Sequence, residues 1–169
     1  MELSPIEWAV LPLKKYAVFS GRAPRAEYWW FYLATFVINI PLSIADEAIA
    51  SWSPLSSLFS LAIFVPSLAV TTRRLHDTNR SGWWQLIFLV PIFAIVASAI
   101  AILGTSALLD GTEPSIPSGS AVIVMVIALV AVLVGAITML VFMVSAGTEG
   151  PNDYGEDPYG PDGLAEVFA

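Results

Sequence analysis

The chain has 169 residues, 57% of them hydrophobic and 12% charged, with a mean hydropathy of +0.76. Apolar content above the half or so usual in soluble domains excludes an ordinary water-soluble core as the first expectation and points to a membrane protein. The formal net charge of -7 counts against nucleic acid as a partner, and the lack of cysteine excludes disulfides and thiolate metal sites.

The distribution of charge says more than its sum. All seven Lys and Arg lie between Lys14 and Arg80, whereas six of the fourteen acids follow Gly147. The opening MELSPIEWAV carries Glu2 and Glu7 before any basic residue, and Pro12 breaks its apolar run, so no removable signal peptide is expected. Ser4 and Glu7 have the spacing of a capping box, and Ile6, Val10, Leu13 and Ala17 then share one face. This predicts a short helix lying in the membrane interface, kinked or ended by Pro12.

A bilayer core about 30 Å thick needs roughly 20 apolar residues in a helix. Four segments qualify, at about 28–45, 54–71, 83–103 and 121–146. Ser53 before Pro54 predicts an N-cap with proline at the first helical position, Ser81 and Ser120 cap the third and fourth spans, and Pro24 opens a lead-in to the first.

Between the spans the charges alternate. The lead-in KKYAVFSGRAPR holds four basic residues and TTRRLHDTNRSG holds three, while DEAIASWS and GTSALLDGTEPSIPSGS hold two acids each and no base. By the positive-inside rule the two basic connections are cytoplasmic, and an even number of spans returns the acidic tail to that side. Tyr28, Trp29, Trp30, Trp83 and Trp84 then form an interfacial belt at one level, with Trp52 marking the opposite face. Residues 1–146 form the membrane domain and 147–169 an acidic cytoplasmic tail. Arg25 before Trp29 and Trp30 parallels Arg80 before Trp83 and Trp84, a likeness between the two hairpins short enough to arise by chance.

Catalysis by His76 and Asp77 has a weak basis. Adjacent helical residues point about 100° apart, so the pair makes no ready base and orienter, and no second histidine completes a metal site. Helix termination is the expected role, with His76 at the negative end of the helix dipole and Asp77 paired with a neighbouring arginine or capping the Thr78–Asn79 turn. No enzyme activity and no cofactor are expected. Transport usually leaves ionisable residues at depth, and the predicted spans contain none. Their polar and small residues include Thr35, Asn39, Ser43, Ser60, Ser67, Gln85, Ser98, Gly135 and Thr138, of a kind that more often packs helices together.

Three pieces, FSGRAPRAEYWWF at 19–31, RRLHDTNRSGWW at 73–84 and GTEGPNDYGEDP at 147–158, together resemble the bacterial inner-membrane family called domain of unknown function 805. The resemblance covers nearly the whole chain and falls on Gly21, Arg22, Arg25, Glu27, Tyr28 and Trp29. It continues on Arg73, Arg74, Leu75, His76, Asp77, Ser81, Gly82 and Trp83, then on Gly150, Asn152, Tyr154, Gly155, Asp157 and Pro158. It implies a small multi-span membrane protein and no assigned activity. Asp153 departs from the pattern, which often has a basic residue there.

The expectation is an all-α, integral-membrane four-helix bundle of two hairpins, with both termini in the cytoplasm of a bacterial cell. All three motif elements fall on the cytoplasmic face. They predict one polar cap of Arg22, Arg25, Glu27, Arg73, Arg74, His76, Asp77, Arg80, Trp83, Asn152, Tyr154 and Asp157. Glu27 and Asp77 serve there as counter-ions to Arg22, Arg25, Arg73 and Arg74, with the tail turn laid across them. Glu149, Asp153, Glu156 and Asp157 would meet Arg22, Arg25, Arg73 and Arg74 as exposed pairs worth about 0 to 1 kcal/mol each, in competition with anionic lipid. The functional expectation is a non-enzymatic interaction or accessory subunit, homo-oligomeric or part of a larger membrane complex, whose cap contacts a partner protein or anionic lipid. The alternative is an oligomeric small-solute or ion transporter or channel.

Overall fold

A computed structural model describes residues 3–49, 53–103 and 119–160. Trp52, the acids of the 104–118 segment and the tail beyond 160, all used in the sequence reading, lie outside the described residues. The architecture is all-helical: α1 (Pro5–Lys14), α2 (Arg25–Ile49), α3 (Pro54–Asp77), a 3-10 segment (Gly82–Phe88), α4 (Leu89–Leu103) and α5 (Gly119–Val144). Among the described residues, four stretches are long and apolar enough to cross a membrane: Arg25–Ile49, Pro54–Asp77, Gly82–Ile100 and Val122–Val144.

The chain forms two compact units, Met1–Gly82 with Phe142–Ala169, and Trp83–Val141. In the first, α1 packs against α2 and α3, and α2 packs along α3. The capping box forms as predicted, with Glu7 Oε2 accepting from the Ser4 amide at 2.7 Å and Ser4 Oγ from the Glu7 amide at 3.3 Å. Pro12 is accommodated inside α1, which ends two residues later. Tyr16 then donates to the Ala62 carbonyl at 2.7 Å, tying this segment to the middle of α3.

The distribution of side chains is that of a membrane fold. Phe36, Ile44, Leu61, Phe64, Val90 and Phe93 are each more than half exposed, while the largest fully buried side chains are Arg73 and Arg74. Such an apolar surface is tolerable only against lipid. Most of the polar residues inside the spans satisfy themselves: Thr35 donates to Tyr32 O, Ser67 to Ile63 O, Ser98 to Ala94 O, Thr138 to Val134 O, and Ser43 to Asn39 Oδ1. In the second unit, a Cβ added at Gly135 of α5 would lie 3.1 Å from Phe88 Cε1, so the glycine is what admits the ring.

Three local expectations differ. Ser53 has left-handed geometry (φ 51°) and makes no side-chain cap. The cap comes from Asp46, expected in the loop but carried on the last turns of an α2 that runs on to Ile49. Its Oδ1 accepts from the Leu55 amide at 2.8 Å and its Oδ2 from the Ser56 amide at 2.9 Å, which satisfies two orphan donors of α3. Ser120 lies inside α5 rather than before it. The third span opens as a 3-10 segment: Pro91 has no amide to donate to Ile87, and the switch to α geometry falls in that turn. Trp83 and Trp84 therefore sit on 3-10 backbone and Trp29 and Trp30 on α-helix, so the two hairpins do not begin alike.

Candidate functional site

The first unit gathers the start of α2, the end of α3, the end of α5 and the tail. Asp77 is the centre, with its side chain 2% exposed. Its Oδ1 accepts from Arg22 Nε at 3.0 Å, and its Oδ2 pairs with Arg74 Nη1 one helical turn earlier. Its backbone carbonyl accepts from the Thr148 amide at 2.8 Å. One carboxylate thus pairs with two guanidiniums, one on each oxygen, and the same residue's carbonyl anchors the tail.

Arg22 and Arg74 spend their other donors on carbonyl oxygens. Arg22 Nη1 donates to Gly150 O at 2.6 Å and Nη2 to Thr148 O at 2.5 Å. Arg74 Nε donates to Met143 O at 3.2 Å and Nη2 to Ser145 O. The last turn of α5 has no basic residue of its own, so Arg74 reaches across from α3 to cap carbonyls that the helix leaves unsatisfied. Gly147 passes against the carboxylate: a Cβ there would stand 2.7 Å from Asp77 Cγ, closer than any side chain tolerates.

The tail turn is held at both ends. Asn152 and Gly155 exchange backbone hydrogen bonds at 3.0 and 3.2 Å, and Asn152 Oδ1 accepts from the Tyr154 amide at 2.9 Å. Asn152 Nδ2 donates to His76 O at 2.9 Å, and the Tyr154 ring stacks on His76 with centroids 3.9 Å apart and planes 9° from parallel. His76 Nδ1 lies 3.1 Å from Gly21 O, an acceptor only, which assigns the proton to Nδ1. Asp157 Oδ1 accepts from the Tyr159 amide and Oδ2 from the Gly150 amide, each at 3.0 Å. The Tyr159 amide, assisted by the Gly150 amide and the Arg22 charge, holds this carboxyl below the usual range. Gly150 has φ 72°, a conformation open to glycine at little cost, and in it serves both Arg22 and Asp157.

A second ion pair, Glu27 with Arg73, is enclosed between α2 and α3 at 2.7 Å, with side chains 0% and 2% exposed. It is a pair by distance without aligned hydrogen bonds: both Glu27 oxygens and all three Arg73 nitrogens lack a well-formed hydrogen bond to the protein. We read it as Coulombic, each charge depending on the other for its place in the interior.

The predicted cap residues therefore sort into groups. Arg22, Arg74, His76, Asp77, Asn152, Tyr154 and Asp157 form one network, and Glu27 and Arg73 the buried pair. Arg80 stacks on Phe142, its Cζ 4.1 Å from the ring centroid, and Nη1 donates to Thr78 O at 2.9 Å. Trp83 is 76% exposed. Arg25 is exposed and takes part in no ion pair among the described residues. Contrary to expectation, the tail acids do not pair with the arginines at the surface: Arg22, Arg73 and Arg74 are buried, and the first and last reach main-chain carbonyls. Thr148 and Gly147, which bring the tail onto Asp77, were not singled out in the sequence, and the polar spacing carries no signal for them.

Comparison with known proteins agrees with this architecture. Inner membrane protein YhaI of Escherichia coli (strain K12) is 33% identical over 154 residues, covering 90% of this chain and 96% of the relative. Inner membrane protein YhaH of the same organism is 30% identical over 159 residues, covering 90% and 97%. Uncharacterized protein YiiR is 28% identical over 141 residues, covering 82% and 84%. No solved structure matches. With a family model matching residues 16–156, which hold the whole Asp77 network save Asp157, this multi-span membrane chain belongs to the family described as protein of unknown function DUF805.

Proposed function

We propose that the protein is a non-enzymatic accessory subunit of the inner membrane, with both termini in the cytoplasm, whose tail-latched cap is a docking face for a partner protein. The observation that carries this reading is the commitment of the central polar groups to the tail. Both Asp77 oxygens are taken by arginines, His76 Nδ1 by Gly21 O and its ring face by Tyr154, which leaves the pair no base and orienter geometry. Burying that much charge is costly unless each group is paired, and the result is a tail held in one shape. Its outward residues Glu149, Asp153 and Glu156 are exposed acids. With Arg22, Arg73 and Arg74 withdrawn into the interior, this face suits a basic protein segment better than an anionic bilayer. The orientation rests on the confinement of every Lys and Arg to the two connections at this end and the α1 lead-in.

The test is cross-linking in intact cells from a photoreactive residue at Asp153, beside the same residue at Glu47 as control. A discrete protein adduct from position 153, lost in Asp77→Ala, supports the reading. Adducts with lipid alone, or equal protein adducts from both positions, overturn it.

A further inference from the structure

Beside the Asp77 network, the first unit holds a cavity of about 420 Å³, a size typical of small-molecule sites. Arg22, Arg25, Asp77, Glu149, Asp157 and Tyr159 line it, with Ala146, Gly147 and Thr148. Most of this charge is already spent. Arg22 and Asp77 bind each other, and Asp157 has an amide on each oxygen. Two charges of opposite sign remain, Arg25 and Glu149, both exposed and neither in a hydrogen bond or ion pair among the described residues.

A simple anion entering here would gain Arg25 and meet Glu149, and a simple cation would meet the reverse. A molecule carrying both signs satisfies both walls. Arg25 opens α2, so the positive end of that helix dipole adds to its guanidinium on the anion side. Arg25 and Asp77 are also the outer residues of two candidate spans, which places the cavity at the level of phospholipid headgroups. We infer that this cavity binds an amine-bearing phosphodiester, its phosphate on Arg25 and its primary ammonium on Glu149, as in the headgroup of an aminophospholipid. A small amine carries donors that Glu149 can accept, whereas a quaternary ammonium of the same charge offers none. The inference shares Glu149 with the outer tail face and otherwise concerns the cavity; the partner-protein reading is tested at Asp153, so the two can fail separately.

The test uses the full chain in nanodiscs or mixed micelles, with lipid retention read by native mass spectrometry. The probes are phosphatidylethanolamine, phosphatidylcholine and phosphatidylglycerol, and soluble glycerophosphoethanolamine is added as competitor. The wild type should retain phosphatidylethanolamine over the other two. Arg25→Gln should weaken that retention about tenfold, the loss of roughly one charge-assisted hydrogen bond. Glu149→Gln should remove the preference over phosphatidylcholine, while Glu47→Gln changes nothing. Both site variants replace exposed unpaired charges and keep the fold, which the unfolding temperature checks. Competition by soluble glycerophosphoethanolamine would show that the free headgroup suffices, and its failure that the lipid is the ligand; either result supports the site. Phosphatidylglycerol retained as well as phosphatidylethanolamine, or retention unmoved by Glu149→Gln, overturns it.

Discussion

Asp77→Asn keeps the size of the central side chain and removes its charge. The carboxylate accepts from Arg22 and Arg74, two guanidiniums whose side chains are 1% and 0% exposed. The amide offers one acceptor oxygen and turns its NH2 toward a cation. Hydrogen bonds to charged groups are worth about 1.5–3 kcal/mol each. Both arginines keep their carbonyl acceptors, so the loss falls below the sum of two such bonds, at about 3 kcal/mol. One tenfold change corresponds to about 1.4 kcal/mol, so the tail should open about a hundred times more often. Hydrogen exchange at the Thr148 and Gly150 amides reads that opening, because both donate inside the network. Faster exchange at these amides, with the middle of α3 unchanged, is the expected result. Unchanged protection at Thr148 would refute the assignment of Asp77 as the tail's anchor.

Other predictions follow from the same contacts. Gly147→Ala forces a methyl into the Asp77 carboxylate and should cost about 1–3 kcal/mol, seen as tail protease sensitivity with the spans intact. Asp46→Ala removes the cap of α3 and should cost up to about 2 kcal/mol in detergent unfolding, while Glu47→Ala costs little. Arg73→Met leaves Glu27 buried without its counter-charge, at about 3–5 kcal/mol; the double variant Glu27→Met with Arg73→Met should lose far less, and additive losses would contradict a Coulombic pair. Asp157 is held below the unfolded carboxylate value of about 3.9, so its support of the tail is present above that pH and is lost as pH falls through the folded value. Mobility of a spin label at position 156 should rise on acidification below the unfolded carboxylate value of about 3.9, and Asp157→Asn should be mobile at neutral pH already.

The apolar blocks made the four spans legible in the sequence, because length and hydropathy are properties of the chain itself. The convergence of the three motif elements was legible too, through the parity of the crossings. The ends of α2 were not: the first span read as about 28–45, with Arg25 and Glu27 in the cap before it and Asp46 in the loop after it, whereas the helix runs from Arg25 to Ile49, Glu27 paired with Arg73 and Asp46 capping α3. The interior placement of Arg22 and Arg74 was hidden for a related reason. Their partners include carbonyl oxygens of residues 143, 145, 148 and 150, and carbonyls leave no trace in a sequence. Ser53 carried the right cap chemistry, but its left-handed backbone leaves the α3 amides to a carboxylate from the preceding helix.

The central claim is a chain that crosses four times with its polar network on one side. Because the protein has no cysteine, single cysteines can be placed at Ser20, Asn79 and Glu156 on the network side and at Glu47 on the other, all of them exposed positions. A membrane-impermeant maleimide applied to intact spheroplasts should label position 47 alone, and should reach 20, 79 and 156 only after the inner face is opened. Labelling of 20 and 79 from opposite sides, or of 47 and 156 from the same side, would contradict the account.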